Sequence, residues 1–440
     1  MNLTCLAALL ALTAAAQAPA PPAAGAGAPG PAVLTLAQAL EELDRQSLSL
    51  VQARSRAAEA SGLARQALAP LLPSLAVGAS WVQNSDDAVM NLPGTPPRVI
   101  PIQPLHSATA SASARLPLVE PSAWFDLAAA RDAARAADLG ASATRLTLRT
   151  GFAQAAHQAA ATEELVSASE RAVENAAELT RSAERRVAAG TAAPLDALRA
   201  RTELVKRQSD LADARAGLDK AELALGILLG RPAPVRVTVP DVGAQPDPAP
   251  TAQVEPLEAE ALAHRPELAA TQAQVEAAQA GVRSAWARLA PQLSASASVF
   301  RSDTLQITEE YDGWRATLDL SWPLYDGGFR YGKRRQAEAQ LTGARAGAEA
   351  QRLAVVQEVR DAARDLEVAR ERLRLAGTQR DLAAETRASA QRSFDAGIAS
   401  SLDVIDANDR LFQAETGLAG ARARLAAARL ALLRALGREA

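Results

Sequence analysis

Two stretches of the chain alternate strictly between apolar and polar side chains. In Ser107–Leu116, Ala108, Ala110, Ala112, Ala114 and Leu116 oppose Ser, Thr and Arg115; in Trp314–Leu324, Trp314, Ala316, Leu318, Leu320 and Trp322 oppose Arg315, Thr317, Asp319 and Ser321. A period of two predicts strands with one apolar face. Leu75–Gln83 and Leu293–Phe300 are weaker versions. Elsewhere the pattern lengthens to heptad-like apolar spacing with abundant Ala and Arg/Glu pairs, which suits packed helices. Trp124 to about Val187 and Phe329 to about Phe394 contain no proline, so each predicts one helix of about 95–100 Å at 1.5 Å per residue. Shorter helices, about Ala37–Ala69 with Pro194–Leu229 and Leu257–Ala290 with Ser401–Leu436, sum in pairs to nearly the same length. Stacked end to end beside a long helix, they would keep a uniform tube wall.

The pattern occurs twice. RVAAGTAAPLDAL ending at LALGILLGRP in the first half answers SFDAGIASSLDVI ending at LALLRALGRE in the second, and Gly190/Gly397, Asp196/Asp403 and Gly230/Gly437 are each 207 positions apart. QALAPLLPSLAVGAS parallels SAWARLAPQLSASAS, with Pro73 and Pro291 separated by 218, so the loop between the strands is longer in the first half. Each half reads helix, strand, loop, strand, very long helix, turn, helix. The expected organisation is a first repeat over 37–230 (strands about 74–83 and 107–117), a Pro-rich linker over 231–256, and a second repeat over 257–440 (strands about 292–301 and 314–324).

The apolar run Leu3–Ala16, followed by small residues, predicts a signal peptide over 1–18, with a Pro/Ala/Gly-rich tail over 19–36. Its removal would take away Cys5, the single cysteine, and with it disulfides, Cys-zinc sites and Cys nucleophiles. Downstream, charges interrupt every apolar stretch before the roughly 18 residues of a membrane helix. The strands, at about nine to eleven residues, have the length of tilted transmembrane strands.

Composition sharpens this. All 5 Trp and 3 Tyr lie in or beside the strand regions, leaving only Phe152, Phe394 and Phe412 elsewhere among the aromatics. Trp81, Trp124, Tyr311, Trp314, Trp322 and Tyr325 are the expected membrane-interface aromatics, because amphipathic rings settle at headgroup level. Four strands cannot close a barrel, since even the smallest need about eight; several chains must share one. With 47 basic and 50 acidic residues the net charge is −3, which offers no footprint for nucleic acid. His106, His157 and His264 are scattered, with no partner at metal-ligand spacing, and Glu163/Glu164 and Glu309/Glu310 read as solvated charges. No cofactor, metal site or catalytic constellation is expected.

The chain resembles the TolC-like outer-membrane efflux channel family over nearly its whole mature length. The resemblance is carried by LTLAQALEELDRQSLSL, EALAHRPELAATQAQVEAAQAGVRSAWARLAPQLSASAS, LSWPLYDGGFRYGKRRQAEAQL and AGIASSLDVIDANDRLFQAE, in order within the duplicated frame. It implies a mixed α and β fold in which a homotrimer contributes four strands per chain to a 12-stranded outer-membrane β-barrel, continued by a periplasmic α-helical coiled-coil barrel. It also implies the outer membrane of a Gram-negative bacterium, contact with outer-membrane lipid, and partnership with a periplasmic adaptor (membrane fusion) protein and an inner-membrane pump. The implied function is the passive exit duct of a tripartite efflux or type I secretion system; the alternative is a soluble periplasmic coiled-coil scaffold or adaptor. The loops at about Asn84–Gln103 and Ser302–Asp312 would then face the exterior, and the prolines of the first make it a poor ladder partner.

The turns around Gly190 and Gly397 match the family's periplasmic tip, where adaptors dock and the tube closes. Gly permits the left-handed reversal, Thr191 or Ser400/Ser401 can cap the next helix, and Pro194 suits its first turn. Asp403 and Asp406 match the family's constriction, where a threefold ring of like charges would raise the carboxylate pKa values. For Asp196 and Asp403 a first-turn carboxylate complementing the helix dipole is an equal alternative. Relatives latch the tip with a tyrosine and an arginine; here Phe394 and Ala399 occupy those places, leaving Arg185, Arg186 or Arg392 as substitutes.

Overall fold

The computed structural model describes residues 32–93, 98–240, 253–303 and 310–439. The expected signal peptide, most of the 19–36 tail and parts of the linker and of both strand loops, Glu309 included, lie outside those residues. Each half follows the predicted order. The first runs β1 (Ala32–Thr35), α1 (Leu36–Gln46), α2 (Leu48–Leu68), β2 (Ser74–Gln83), β3 (Ala88–Leu92), β4 (Arg98–Gln103), β5 (His106–Val119), α3 (Pro121–Ala188), α4 (Pro194–Leu228) and β6 (Val235–Thr238). The second runs α5 (Val254–His264), α6 (Pro266–Ala287), β7 (Gln292–Ser302), β8 (Asp312–Ser321), α7 (Phe329–Asp395) and α8 (Ser401–Ala435). The two long helices have 68 and 67 residues, about 100 Å each.

The first helix of each half differs from expectation, for it is broken. At Arg265 the chain is extended (φ −73, ψ 123), the conformation that the following Pro266 favours, and Ser47 takes the same conformation (φ −60, ψ 120). The two breaks are 218 positions apart, the register of Pro73/Pro291. Ion pairs beside the breaks fasten each to a long helix: Asp44 accepts from Arg145 (2.9 and 2.7 Å) and Arg149 (2.7 Å) on α3, and the buried Arg265 donates to Glu358 on α7 at 2.5 Å. The arginines hold the Asp44 carboxyl below its usual pKa, the hydrogen bond from Arg145 first.

Helix α3 packs against α2, α4, α6 and α8, and α7 packs against α5, α6 and α8. Ala at most contacts allows the close approach, and three apolar clusters fill the wall. One gathers Leu40, Leu43, Phe152, Leu225 and Leu229 around β6, which pairs in parallel with β1. The pair lies partly in the expected linker; Val235 and Val237 alternate inward between flanking prolines. Thus the stretch read as linker holds a strand and, from Val254, the start of α5.

Strands β2, β5, β7 and β8 form one antiparallel sheet in that order. Directly paired residues share a face, and the register puts Leu75/Ala114/Ala297/Ala316 and Val77/Ala112/Val299/Trp314 in rows on one side. That side is open: Leu75 is 84%, Val77 87% and Trp314 78% exposed. The opposite side carries Ser74, Ser111, Ser113, Ser294, Ser296, Ser298 and Thr317, with Arg115 and Arg315 among them. Among the described residues β2 and β8 each pair on one side only. The first strand loop, expected to be a poor ladder partner, holds strands of its own, since β3 and β4 pair antiparallel within it. Pro101 stands in register with Val89, next to a bulge at Ala88/Val89, on a strand with one neighbour among the described residues, an edge position of the kind where proline is tolerated.

Candidate functional site

At the end of the molecule remote from the sheet, α3 reverses into α4 and α7 into α8 through Gly190 (φ 69) and Gly397 (φ 77). Both are left-handed, the conformation that closes a helix C-terminus without a Cβ penalty. Thr191 does not cap α4. Its backbone N–H and hydroxyl both donate to the Arg186 carbonyl, at 2.9 and 3.1 Å, so it finishes α3, while Ala193 and Pro194 open α4 without a side-chain cap. Ser400 does cap α8: its backbone N–H and hydroxyl donate to Asp403 Oδ2 at 2.8 and 2.7 Å, and the Asp403 N–H returns a bond to Ser400 Oγ. These bonds lower the Asp403 pKa within one chain, opposite in sign to the rise expected of an acidic ring. Asp406, one turn on, is exposed and pairs with Arg410 at 2.9 Å.

The repeats meet at the tip. Phe394 is buried against Leu179, Ala183, Ala200 and Val404, with Ala399 at the margin. The Arg186 guanidinium lies 4.0 Å from its ring centroid and donates to the Asp395 carbonyl at 3.3 Å. Of the three arginines considered as substitutes, Arg186 therefore crosses between repeats. Ser401 Oγ donates to Asp196 Oδ1 at 2.8 Å, a contact with no sequence signal beyond residue type. Leu195, Leu198, Ile398 and Leu402 stay exposed around these turns.

Behind the tip, the buried Arg207 joins Glu203 (2.7 Å), Asp210 (3.1 Å) and Asp409, and stands over Phe412 at 4.8 Å. All three aromatics outside the strand regions thus have packing roles. His157 is buried in the wall, and burial lowers its pKa. Among the described residues no group of three or more His, Cys, Asp or Glu could hold a metal ion, and no helix is long and apolar enough to cross a membrane.

At the sheet the aromatics form two tiers. Trp81, Tyr311 and Trp314 lie at the loop ends of the strands; Trp124, Trp322 and Tyr325, joined by Trp286, Phe329 and Tyr331, lie where strands meet helices. All nine are exposed. The lower tier is braced by Trp322 Nε1 donating to the Leu289 carbonyl (3.1 Å) and by Arg330, which donates to Asp326 (2.7 Å) and to the carbonyls of Arg288 (3.3 Å) and Pro323.

A sheet apolar and open on one face, hydroxyl-lined on the other and continued by helices of this length defines a subunit that meets lipid through strands and water through helices. The chain belongs to the outer membrane efflux protein family, whose sequence model matches residues 39–231 and 257–438. It is a protein of the outer membrane whose helices extend into the periplasm. It is 30% identical over 264 residues to the cobalt-zinc-cadmium resistance protein CzcC of Cupriavidus metallidurans, a match covering 60% of this chain and 61% of that protein. Its fold is that of VceC from Vibrio cholerae (22% identity, TM-score 0.76, 92% of this chain and 96% of that one). It is also that of CusC (18%, 0.79, 92% of each chain) and of the open-state MtrE channel of Neisseria gonorrhoeae (18%, 0.76, 92% and 89%).

Proposed function

We propose that three copies of this chain form the outer-membrane exit duct of a tripartite efflux or type I secretion system, conducting substrates passively from a periplasmic adaptor and inner-membrane pump to the exterior. The carrying observation is the four-stranded sheet, exposed on its apolar face and, among the described residues, unpaired at the outer edges of β2 and β8. Unpaired strand edges in lipid are prohibitively costly, so copies must join edge to edge, and three sheets of four strands make a 12-stranded barrel. Its Ser-rich face would line the pore, and Trp81, Trp124, Tyr311, Trp314, Trp322 and Tyr325 would sit at the two membrane interfaces. The two repeats, over 37–230 and 257–440, would contribute equivalent wall segments.

Asp403 and Asp406 form the periplasmic constriction in this reading, and the turns bearing Gly190, Thr191, Asp196, Gly397, Ser400 and Ser401, with the exposed Leu195 and Ile398, form the adaptor-docking tip. No catalytic step is assigned. A soluble periplasmic scaffold is disfavoured because it would leave the apolar face of the sheet in water. The likeness to CzcC makes divalent transition-metal ions the first cargo to test. The decisive experiment is fractionation with gel mobility and planar-bilayer recording: an outer-membrane oligomer that survives detergent until boiled and conducts ions supports the duct. Quantitative release by osmotic shock overturns it.

A further inference from the structure

We infer that the start of α7 carries a binding surface for anionic phospholipid headgroups in the periplasmic leaflet, formed by Lys333, Arg334 and Arg335 beneath the lower aromatic tier. The inference rests on the reading that the sheet spans the membrane. Phe329, Tyr331, Trp322 and Tyr325 mark the level of the headgroups, and they are exposed. Three consecutive cations follow within two turns of Phe329, about 6–9 Å further along the helix. That is where lipid phosphates lie and within reach of long basic side chains that snorkel along apolar surface. The local geometry keeps Lys333 and Arg334 on the aromatic tier. The Lys333 ammonium is 5.7 Å from the Phe329 ring centroid and donates to Gln336 at 3.3 Å, and Arg334 stacks at 4.6 Å on Trp286 from α6.

The charge is not cancelled locally. Arg334 approaches Glu338 at 3.4 Å, and Arg330 is occupied with Asp326 inside the turn, but Lys333 and Arg335 have no carboxylate partner among the described residues. Further along α7, arginines pair with acids one turn away, as in Arg352–Glu349 and Arg374–Glu371. The equivalent start of α3 reads WFDLAAARD, where Asp126 takes Arg288 (3.1 Å) and Ser284 (2.5 Å). The basic patch thus belongs to the second repeat alone. An anionic phosphodiester complements it; a zwitterionic headgroup brings its own cation and does so less well.

The test is native mass spectrometry of the intact protein extracted in mild detergent and titrated with phosphatidylglycerol, cardiolipin or phosphatidylcholine of matched acyl chains. Each surface cation contributes about fivefold to binding of anionic lipid. The wild type should therefore retain phosphatidylglycerol and cardiolipin about tenfold or more better than phosphatidylcholine. Lys333→Gln/Arg335→Gln should abolish most of that preference, whereas Arg301→Gln, at the opposite end of β7, should not. Lys333→Arg/Arg335→Lys should keep it, and millimolar inorganic phosphate should not displace the lipid. Equal retention of all three lipids by the wild type, an unchanged preference in the double Gln variant, or full displacement by inorganic phosphate would overturn the inference. A protein that conducts ions without any headgroup preference loses this inference alone; one that enters no bilayer loses the channel reading as well.

Discussion

Ser401 Oγ donates a 2.8 Å hydrogen bond to Asp196 Oδ1, joining the first residue of α8 to the first turn of α4 across the two repeats. Asp196 is available because the duplication is imperfect at its cap. Its repeat counterpart, Asp403, is held by Ser400, but the residue at the corresponding cap of α4 is Ala193, which has no hydroxyl. Replacing Ser401 by Ala or Asp196 by Asn should therefore loosen the tip, by about 1 kcal/mol for a partly exposed bond to a carboxylate. Single-channel recording should show more frequent opening than in the wild type, and hydrogen exchange should speed up around both turns. An unchanged exchange pattern would mean the bond is incidental.

Phe394 supplies the apolar part of the same junction, and Phe394→Ala should cost about 3–5 kcal/mol of local stability, as expected for a buried aromatic. Hydrogen exchange is again the measurement. The loss should be confined to the tip helices, leaving the sheet end unaffected.

Asp403→Ala and Asp406→Ala should separate two roles. Asp403 closes a capping box, so its loss alone should loosen the start of α8; among the described residues Asp406 is tied to Arg410. If both form the constriction, the double Ala variant should lose cation preference and multivalent-cation block in planar bilayers with little change in oligomer yield. The single Asp406 variant should share the selectivity phenotype without the destabilisation.

Assembly can be read from the strand edges. Cysteines at the directly paired Ser113 and Ser298 would report only within one chain, since β5 and β7 are neighbours. In a Cys5→Ser background, cysteines scanned along β2 (Ser74–Val82) against β8 (Gly313–Ser321) should instead give covalent oligomers after oxidation. Monomer at every pairing in a membrane-extracted sample would refute the shared barrel.

The wall should also respond to acid. Burial depresses the His157 pKa below its ordinary 6.5, so the folded state favours the neutral ring. The stability this contributes is complete above pH 6.5 and is lost as pH falls from there through the lowered value. Thermal unfolding of the helical part should consequently drop on acidification across that window. His157→Leu should reduce that drop, which circular dichroism can follow.

How far the sequence reveals this architecture varies with the length of each signal. Sixty or more residues of helical pattern without proline, and Ala against Ser across Ser107–Leu116, were sufficient to place α3, α7 and β5. The break at Arg265 is written in Pro266, and the 218-residue register carries it to Ser47, where no proline marks it. The β1–β6 pair rests on four-residue strands from opposite ends of a repeat, too short for periodicity to register. At the tip, residue types suggested the caps correctly at Ser400 and wrongly at Thr191. Which of Arg185, Arg186 and Arg392 covers Phe394 depends on the rotation of α3 against α7, which helical spacing alone does not fix.

The open face formed by Leu75, Val77, Trp314, Leu318 and Leu320 dictates an order of events during biogenesis. In water that surface is a hazard, prone to strand-to-strand association with any neighbour, whereas the charge-rich helices are at home there. The helical part can thus fold early and keep the chain dispersed on its way across the periplasm. In the proposed shared barrel the sheet would reach its final form only when lipid and sister chains arrive together, so the last element to fold would be the one nearest the destination.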